Sequence, residues 1–397
     1  MATTVQTLFA AGPERRVALC YFLLMTPLGA SVVGAGIWFA ENGLDPRQIA
    51  VINVAPVLVM IALNLTIGRI ADRASDWRQT IVTASAIQGV VTMALFFVDS
   101  FWGIVAVWTL SVTPNQAIGP VLDAATMRMT RRNGTHFGAL RACATVGYML
   151  SVGASGMVIA RFGIESFVPL YVGLMLVKAL VAQALPFFRA PPGTPSPVER
   201  GAERLAEVMR PWFVLPLFGY AMAFGTHIIL NAFAALWWKK QGIPADVIGN
   251  LIMLGAFAEA AMMFAWGRLG KVLRPDLALL IAAVVASLRW TAMGFAPPVH
   301  VLVFLQLLHA LTFALGYLGC VSFIATHTRE RIAAEAQSFY ILLQAIMTVV
   351  AVLGFGWIGA RLGFAAYFVA GAFALLGALT ILAGISLRPA EAEPDRA

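Results

Sequence analysis

The sequence predicts an all-α membrane protein of twelve transmembrane helices arranged as two six-helix bundles, and three observations carry that prediction. Of 397 residues, 60% are hydrophobic and 12% charged, with a mean hydropathy of +0.84, a balance foreign to a water-soluble domain. Apolar stretches of about 20 residues, long enough as helices to cross roughly 30 Å of hydrocarbon, recur from Val17 to Leu387. The segment RAPPGTPSPVERGAERLAEVMRP, residues 189–211, interrupts that series midway: its Pro/Gly-rich start cannot stay helical, and its later part is charged and amphipathic.

Breaks at Gly, Pro and charge clusters place the spans at 17–40, 47–67, 79–98, 101–124, 138–160, 166–188, 211–237, 245–266, 277–295, 299–325, 333–359 and 363–387. Only Asp99 and Ser100 separate the third from the fourth. The expected domains are an N-terminal bundle (1–188), a cytoplasmic linker (189–210) and a C-terminal bundle (211–397). With an even number of spans and a cytoplasmic N-terminus, 19 of the 27 Lys and Arg residues fall in inner-side segments. Five fall in outer loops (Arg47, Arg161, Lys239, Lys240, Arg361) and three inside spans. Since Lys and Arg in short loops set orientation, both termini are expected in the cytoplasm, with the chain integral to a bacterial inner (plasma) membrane. The formal charge of +8 then needs no nucleic-acid partner.

Residues 1–16 lack a short apolar core followed by a small-residue cleavage site, so the first apolar run reads as a retained helix. Cys20, Cys143 and Cys320 all fall within spans and are expected to pack as small apolar residues. The five histidines show no metal-ligand spacing, and neither a phosphate-binding loop nor an acidic Mg²⁺ cluster occurs. No enzyme activity, catalytic residue, metal or cofactor is expected.

Five charges remain inside the spans: Asp123, Arg141, Lys178, Glu259 and Arg289. Each costs about 2.5–3.5 kcal/mol near the bilayer centre on insertion scales, so each needs a partner or a wet cavity. Asp123 closes the fourth span and Arg141 opens the fifth; an antiparallel helix pair joined by a basic loop can bring them face to face. Lys178, in the middle of the sixth, either snorkels, pairs with an acid or faces a cavity. Asn53, Asn64, Asn115, Gln116, Asn231, Gln306 and Gln344 are polar spots suited to interhelical hydrogen bonds. If all five charges are ionised, three cations against two acids leave one positive charge, which an anionic substrate would balance.

The loops GRIADRASDWR (68–78) and GRLGKVLR (267–274) put a Gly-Arg-rich turn at the same place in each half, the mark of an internal repeat. Here the chain resembles the major facilitator superfamily, whose signature loop is Gly-x-x-Ala/Ser-Asp-Arg/Lys-x-Gly-Arg/Lys. Gly68, Ala71, Asp72 and Arg73 match. Ser75 replaces a glycine, Arg78 is out of register, and Lys271 stands where the second copy would carry its acid. The resemblance implies a cytoplasmic latch of Gly68, Asp72, Arg73 and Arg78, made in one state and broken in another.

The resemblance narrows to the phenylpropionate and lactose permease-like branch, which shares Pro-x-x-acid, a basic loop and Phe-Gly-x-x-Arg. Pro120, Asp123, Arg131, Arg132, Phe137, Gly138 and Arg141 reproduce that pattern. It implies substrate binding by Asp123 and Arg141, with Tyr148 where sugar-transporting members stack a tryptophan on the sugar. A salt bridge that merely pairs helices is the alternative. SLRWTAMGF (287–295) and LLHALTFALGYLGC (307–320) look like the branch's ninth and tenth helices and carry its roles to Arg289 and His309. One turn beyond that histidine, the acid the sugar members use for a proton is Thr312 here. The stretch 225–264 is similar to the phenylpropionate members and carries their roles to His227 and Glu259.

Glu259 is the only carboxylate central to the second half, so it is expected to load and release the proton. Burial and a neighbouring arginine or imidazole pull a carboxyl in opposite directions, a competition that can tune proton exchange. His227 and His309 join it as proton-coupling candidates, or are packed histidines satisfied by backbone. Asp123, Arg141, Tyr148, Lys178 and Arg289 form the substrate-binding set.

The resemblance implies two bundles rocking about a midplane cavity. The expected activity is proton-coupled uptake of an aromatic or other monocarboxylate by a monomer among membrane lipids, with the proton gradient as driving force. The alternatives are a proton-driven exporter of drugs or metabolites, a sugar or nucleoside symporter, and a ligand-sensing membrane scaffold.

Overall fold

The computed structural model describes residues 12–73, 77–188, 209–328 and 330–389; for 64–73, Gln116, Ala117, Pro120, Ala124 and 330–334 it describes the backbone alone. Among the described residues there is no strand and there are twelve helical stretches of membrane-spanning scale. They are α1 (Pro13–Glu41), α2 (Pro46–Arg73), α3 (Trp77–Phe96, its last turn 3₁₀), α4 (Phe101–Asn133), α5 (Phe137–Phe162) and α6 (Ile164–Ala182, opening with a 3₁₀ turn). Then follow α7 (Pro211–Lys240), α8 (Ala245–Leu269), α9 (Pro275–Gly294), α10 (Val299–His327), α11 (Glu330–Leu362) and α12 (Ala366–Ser386). Among the described residues ten apolar stretches are long enough to cross a membrane, the last of which, Glu335–Ser386, takes in most of α11 and all of α12. All but the last two residues of the expected linker, 189–210, lie outside the described residues.

Local chemistry sets the helix ends. The Asp99-Ser100 break holds because the Ser100 hydroxyl accepts from the Gly103 amide at 3.2 Å and caps α4. Three boundaries differ by six residues or more from those read in the sequence. Helix α2 runs on to Arg73 rather than 67, so 68–73, read as the start of a loop, are helical backbone. Helix α4 runs on to Asn133 and stops at Gly134, in the left-handed region at φ 67°, because Met127–Arg132 are ordinary helix formers and the first residue that ends a helix is that glycine. Asp123 therefore sits well inside α4, not at its end. The α6 helix ends at Ala182 rather than 188, with Pro186 three residues past the break.

The chain folds as two compact units: Met1–Leu44 with Val51–Thr194 and Gly242–Met253, and Asp45–Ala50 with Pro195–Gln241 and Leu254–Ala397. In the first, α1 packs on α5 and α6, and α3 packs on α4 and α6. In the second, α7 packs on α11 and α12, and α9 packs on α10 and α12. These are the same four pairings six helices later. The turns repeat as well: ENGLDP (41–46) and KQGIPA (240–245) both turn at a left-handed glycine, Gly43 at φ 77° and Gly242 at φ 86°. Gly163 and Gly363, in RFGIES (161–166) and RLGFAA (361–366), do the same and each leads into a 3₁₀ turn. These turn pairs are a clearer repeat in the sequence than the Gly-Arg loops.

Each unit has its own core. Val17, Cys20, Tyr21, Leu24, Ile81, Leu122 and Phe188 are among the buried residues of the first; Phe213, Leu217, Tyr220, Leu279, Cys320 and Phe323 are among those of the second. All three cysteines are free; Cys20 and Cys320 are buried and Cys143 is partly so. Lipid supplies little hydrophobic drive between helices, so close backbone approach at small residues has to supply packing energy. A β-carbon on Gly147 would lie 2.0 Å from the Phe22 carbonyl oxygen, and one on Gly219 would lie 2.4 Å from that of Gly377. In both cases backbone is the obstacle, and it cannot swing aside.

Two substitutions separate this packing from helix propensity. Gly147→Ala should lower the melting temperature in detergent by several degrees. Gly173→Ala, where a β-carbon meets nothing within 4 Å, should leave it unchanged or raise it through the roughly 0.5–1 kcal/mol by which alanine exceeds glycine in a helix.

Candidate functional site

The ionic groups of the spans gather into three clusters, two in the first unit and one in the second. In the first unit, α4 and α5 run antiparallel and bring Arg141 Nε to 3.3 Å from Asp123 Oδ1. The Tyr21 hydroxyl of α1 donates to the same oxygen at 2.6 Å, and the guanidinium lies 5.8 Å from the centre of the Tyr21 ring. The side chains of Arg141 and Asp123 remain 40% and 34% exposed. An ion pair so open contributes under about 1 kcal/mol to stability, so its groups stay available to a polar ligand. Tyr148 is partly buried two helical turns beyond Arg141, on the same face of α5.

Among the described residues Lys178 neither reaches the interface nor pairs with an acid. Its side chain is 1% exposed, and Nζ donates to Gln88 Oε1 of α3 at 2.6 Å and to Asn115 Oδ1 of α4 at 3.0 Å. Gln88 in turn donates from Nε2 to the Ser111 carbonyl at 2.6 Å, and the Thr92 hydroxyl donates to Ser111 Oγ at 3.1 Å. The lysine thus occupies a sealed cage of neutral amides, apart from the Asp123–Arg141 pair. Asn115 was legible as a polar spot in an apolar stretch. Gln88 is equally lone in IVTASAIQGVV (81–91), but its meaning depends on a lysine ninety residues away.

In the second unit Arg289 of α9 is fully buried. Its Nη1 lies 3.1 Å from His309 Nδ1 and donates to the Thr312 hydroxyl at 3.1 Å, while Nη2 donates to Gln306 Oε1. All three partners sit on α10, where the helix widens into a π-turn at Ala310–Leu315. Such a widening rotates side chains out of regular register and often marks functional positions. It is the feature of this site with no signal in the sequence.

On its other side, His309 presents Nε2 at 3.6 Å from Glu259 Oε2 of α8. Guanidinium nitrogens only donate, so Nδ1 of His309 must accept from Arg289, and the proton of the neutral ring is on Nε2, toward Glu259. The result is a guanidinium–imidazole–carboxylate array across three helices. The hydroxyl of Thr312 accepts from the arginine where the branch's sugar members carry an acid.

His227 of α7 completes the cluster without joining the array. Its Nδ1 lies 3.0 Å from the Ala223 carbonyl, an acceptor only, so Nδ1 carries the proton. Nε2 is then a buried acceptor with no hydrogen-bond partner among the described residues. The ring packs 5.3 Å from Trp290, 5.6 Å from His309 and 5.8 Å from Phe313. The Trp290 indole N–H donates to Thr226 at 2.7 Å, which fixes this wall.

The expected latch is only partly within view: for Gly68, Asp72 and Arg73 the structure describes the helical backbone alone. Arg78, which is described, donates from Nη2 to the Gln183 carbonyl at 2.6 Å and stacks 4.6 Å from the centre of the Phe187 ring. It therefore ties the start of α3 to the end of α6 inside the first unit. Among the described residues no group of three or more His, Cys, Asp or Glu side chains is arranged to hold a metal ion.

Known proteins of similar sequence and fold are transporters. The chain is 25% identical over 352 residues to the probable 3-phenylpropionic acid transporter of Escherichia coli (strain K12), covering 86% of this chain and 87% of that protein. It is 24% identical over 332 residues to the maltose permease of Geobacillus stearothermophilus, covering 83% and 84% respectively. Among solved structures, the nucleoside transporter NupG superposes with a TM-score of 0.75 at 12% identity, over 95% of this chain and all of that one. The peptide transporter POT in complex with sulfate superposes with a TM-score of 0.74 at 16% identity, over 98% and 99%. The model of the MFS_1 like family matches residues 15–381, nearly the whole described chain. This protein is accordingly a member of that family, an all-helical membrane transporter of the major facilitator type.

Proposed function

We infer that the protein takes up a small monocarboxylate, aromatic in the first instance, together with a proton, by alternating access across a bacterial inner membrane with both termini in the cytoplasm. The observation that carries this reading is the Arg289–His309–Glu259 array. Glu259, 26% exposed in its side chain, is the carboxyl that exchanges the proton. His309 relays it, because its Nε2 faces the carboxyl while Nδ1 is held by Arg289. When Glu259 is charged, it balances Arg289 through the ring; when it takes a proton, that balance is lost and the arginine is left with neutral partners. A buried cation that gains and loses its counter-charge is a two-state element that a proton gradient can bias.

The open Asp123–Arg141–Tyr21 cluster suits the carboxylate end of the substrate, since Arg141 can exchange its contact with Asp123 for one with a ligand. The phenylpropionic acid transporter among the relatives supports an aromatic acid. The maltose permease, together with the acceptor and donor pair Asp123 and Tyr21, favours a second reading in which the ligand is a neutral sugar. In either case residues 1–188 and 211–397 would be the two moving bundles, and the relatives make transport far better supported than ligand sensing.

Three outcomes test this. In right-side-out vesicles under an inward proton gradient, labelled 3-phenylpropionate should accumulate and its uncharged amide should not; equal uptake of the two would exclude the carboxylate reading, and efflux of preloaded acid would indicate export. Glu259→Gln should abolish gradient-driven accumulation while leaving exchange of internal for external substrate, measured in the same vesicles. Arg141→Ala should weaken binding by at least roughly ten-fold, about 1.4 kcal/mol, with little change in melting temperature, because the pair it breaks is half-exposed.

A further inference from the structure

We propose that Lys178 is a second proton-binding group, which takes up its proton together with the substrate carboxylate and so loads acid and proton as one electroneutral pair. This rests on the monocarboxylate reading above and adds to it a second contact for the carboxylate in the same unit, made in a different step of transport from the contact with Arg141.

The argument begins with hydrogen-bond counting. A neutral primary amine has two N–H donors and one lone pair, whereas an ammonium has three donors and none. Among the described residues Lys178 Nζ has two acceptors, Gln88 Oε1 and Asn115 Oδ1, which match the neutral amine donor for donor. The nearest polar groups behind them, Ser111 and Thr92, are committed to Gln88 and to each other. From α1 the titratable neighbour is the Cys20 thiol, which interacts with Lys178 electrostatically. No carboxylate forms an ion pair with Lys178 among the described residues, and Asp123, the acid of the same unit, is engaged with Tyr21 and Arg141. A side chain 1% exposed in so apolar a setting would carry a heavy desolvation cost as an isolated cation.

Charge accounting points the same way. With Lys178 neutral, Asp123 offsets Arg141 and Glu259 offsets Arg289, so these five groups carry no surplus. An incoming carboxylate alone would then add an unbalanced negative charge. A carboxylate that displaces the Asn115 amide and arrives with a proton adds none: the proton comes from the aqueous phase, the Lys178 lone pair binds it, and the resulting ammonium donates to the carboxylate. Asn115 is the group to move, because it is the partly buried one of the two acceptors. It also lies beside Pro114 in the Pro/Gly-containing stretch TPNQAIGP of α4, two turns from Asp123. A helix segment with a missing backbone donor yields most easily there.

The test is calorimetric titration of the purified full-length protein with 3-phenylpropionate at neutral pH, in buffers of differing ionisation enthalpy, which yields protons taken up per ligand bound. Wild type should take up roughly one proton more than Lys178→Met, the difference expected when one group changes state on binding, and Lys178→Met should bind at least ten-fold more weakly. Lys178→Met is expected to fold, since an apolar chain of similar volume replaces a buried polar head; Lys178→Gln serves if it does not. Lys178→Arg, permanently charged, should bind the acid without the extra proton. Glu259→Gln should retain the extra proton. Unchanged affinity and proton uptake in Lys178→Met and Lys178→Gln would overturn the proposal while leaving the monocarboxylate reading intact, as would loss of all proton uptake in Glu259→Gln. Wild type that binds maltose but not 3-phenylpropionate would overturn both.

Discussion

The governing constraint on this molecule is that a charge in hydrocarbon must find its counterpart within the helices themselves. Water is not at hand to solvate it, and each unmatched ion costs several kcal/mol. Arg141, Lys178 and Arg289 meet the constraint in three different ways. Arg141 has a carboxylate in direct contact. Arg289 reaches one only through an imidazole. Lys178 has none among the described residues and is held by amides. The three cations thus run from a direct pair through a relayed pair to a neutral cage.

The packing that presents these groups follows from the same solvent. Apolar side chains gain little by leaving lipid for a helix interface, so contact must come from backbones that approach closely, and glycines stand where α1 meets α5 and where α7 meets α12. Those approaches hold Tyr21 beside Asp123 and keep the His227 wall against α9. Gln306, His309 and Thr312, spaced three residues apart on α10, share the face that meets the guanidinium, and the π-turn begins immediately after His309.

A proton relay built on a histidine depends on which ring nitrogen holds the hydrogen. In the second unit both tautomers are set by their neighbours: Arg289 makes Nδ1 of His309 an acceptor, and the Ala223 carbonyl makes Nδ1 of His227 a donor. Two histidines on α7 and α10 with rings 5.6 Å apart are therefore chemically opposite, one directing its hydrogen toward a carboxylate and the other presenting an acceptor with no partner among the described residues.

The sequence alone determined the solvent, the twelve spans, the repeat and the identity of the charged residues, because hydropathy over 20 residues and the scarcity of ions in apolar runs are local properties. It also determined the Asp123–Arg141 pairing, since a short basic connection between antiparallel helices leaves those residues few other neighbours. It did not determine that Tyr21 shares Asp123, that Gln88 and Asn115 hold Lys178, or that His309 stands between Arg289 and Glu259. Those partners lie 63 to 102 residues apart in the first unit and, in the array, on three different helices. Only the tertiary structure decided them, because which face of one apolar helix meets which face of another is settled by packing summed over whole helices, a quantity no single residue or spacing encodes.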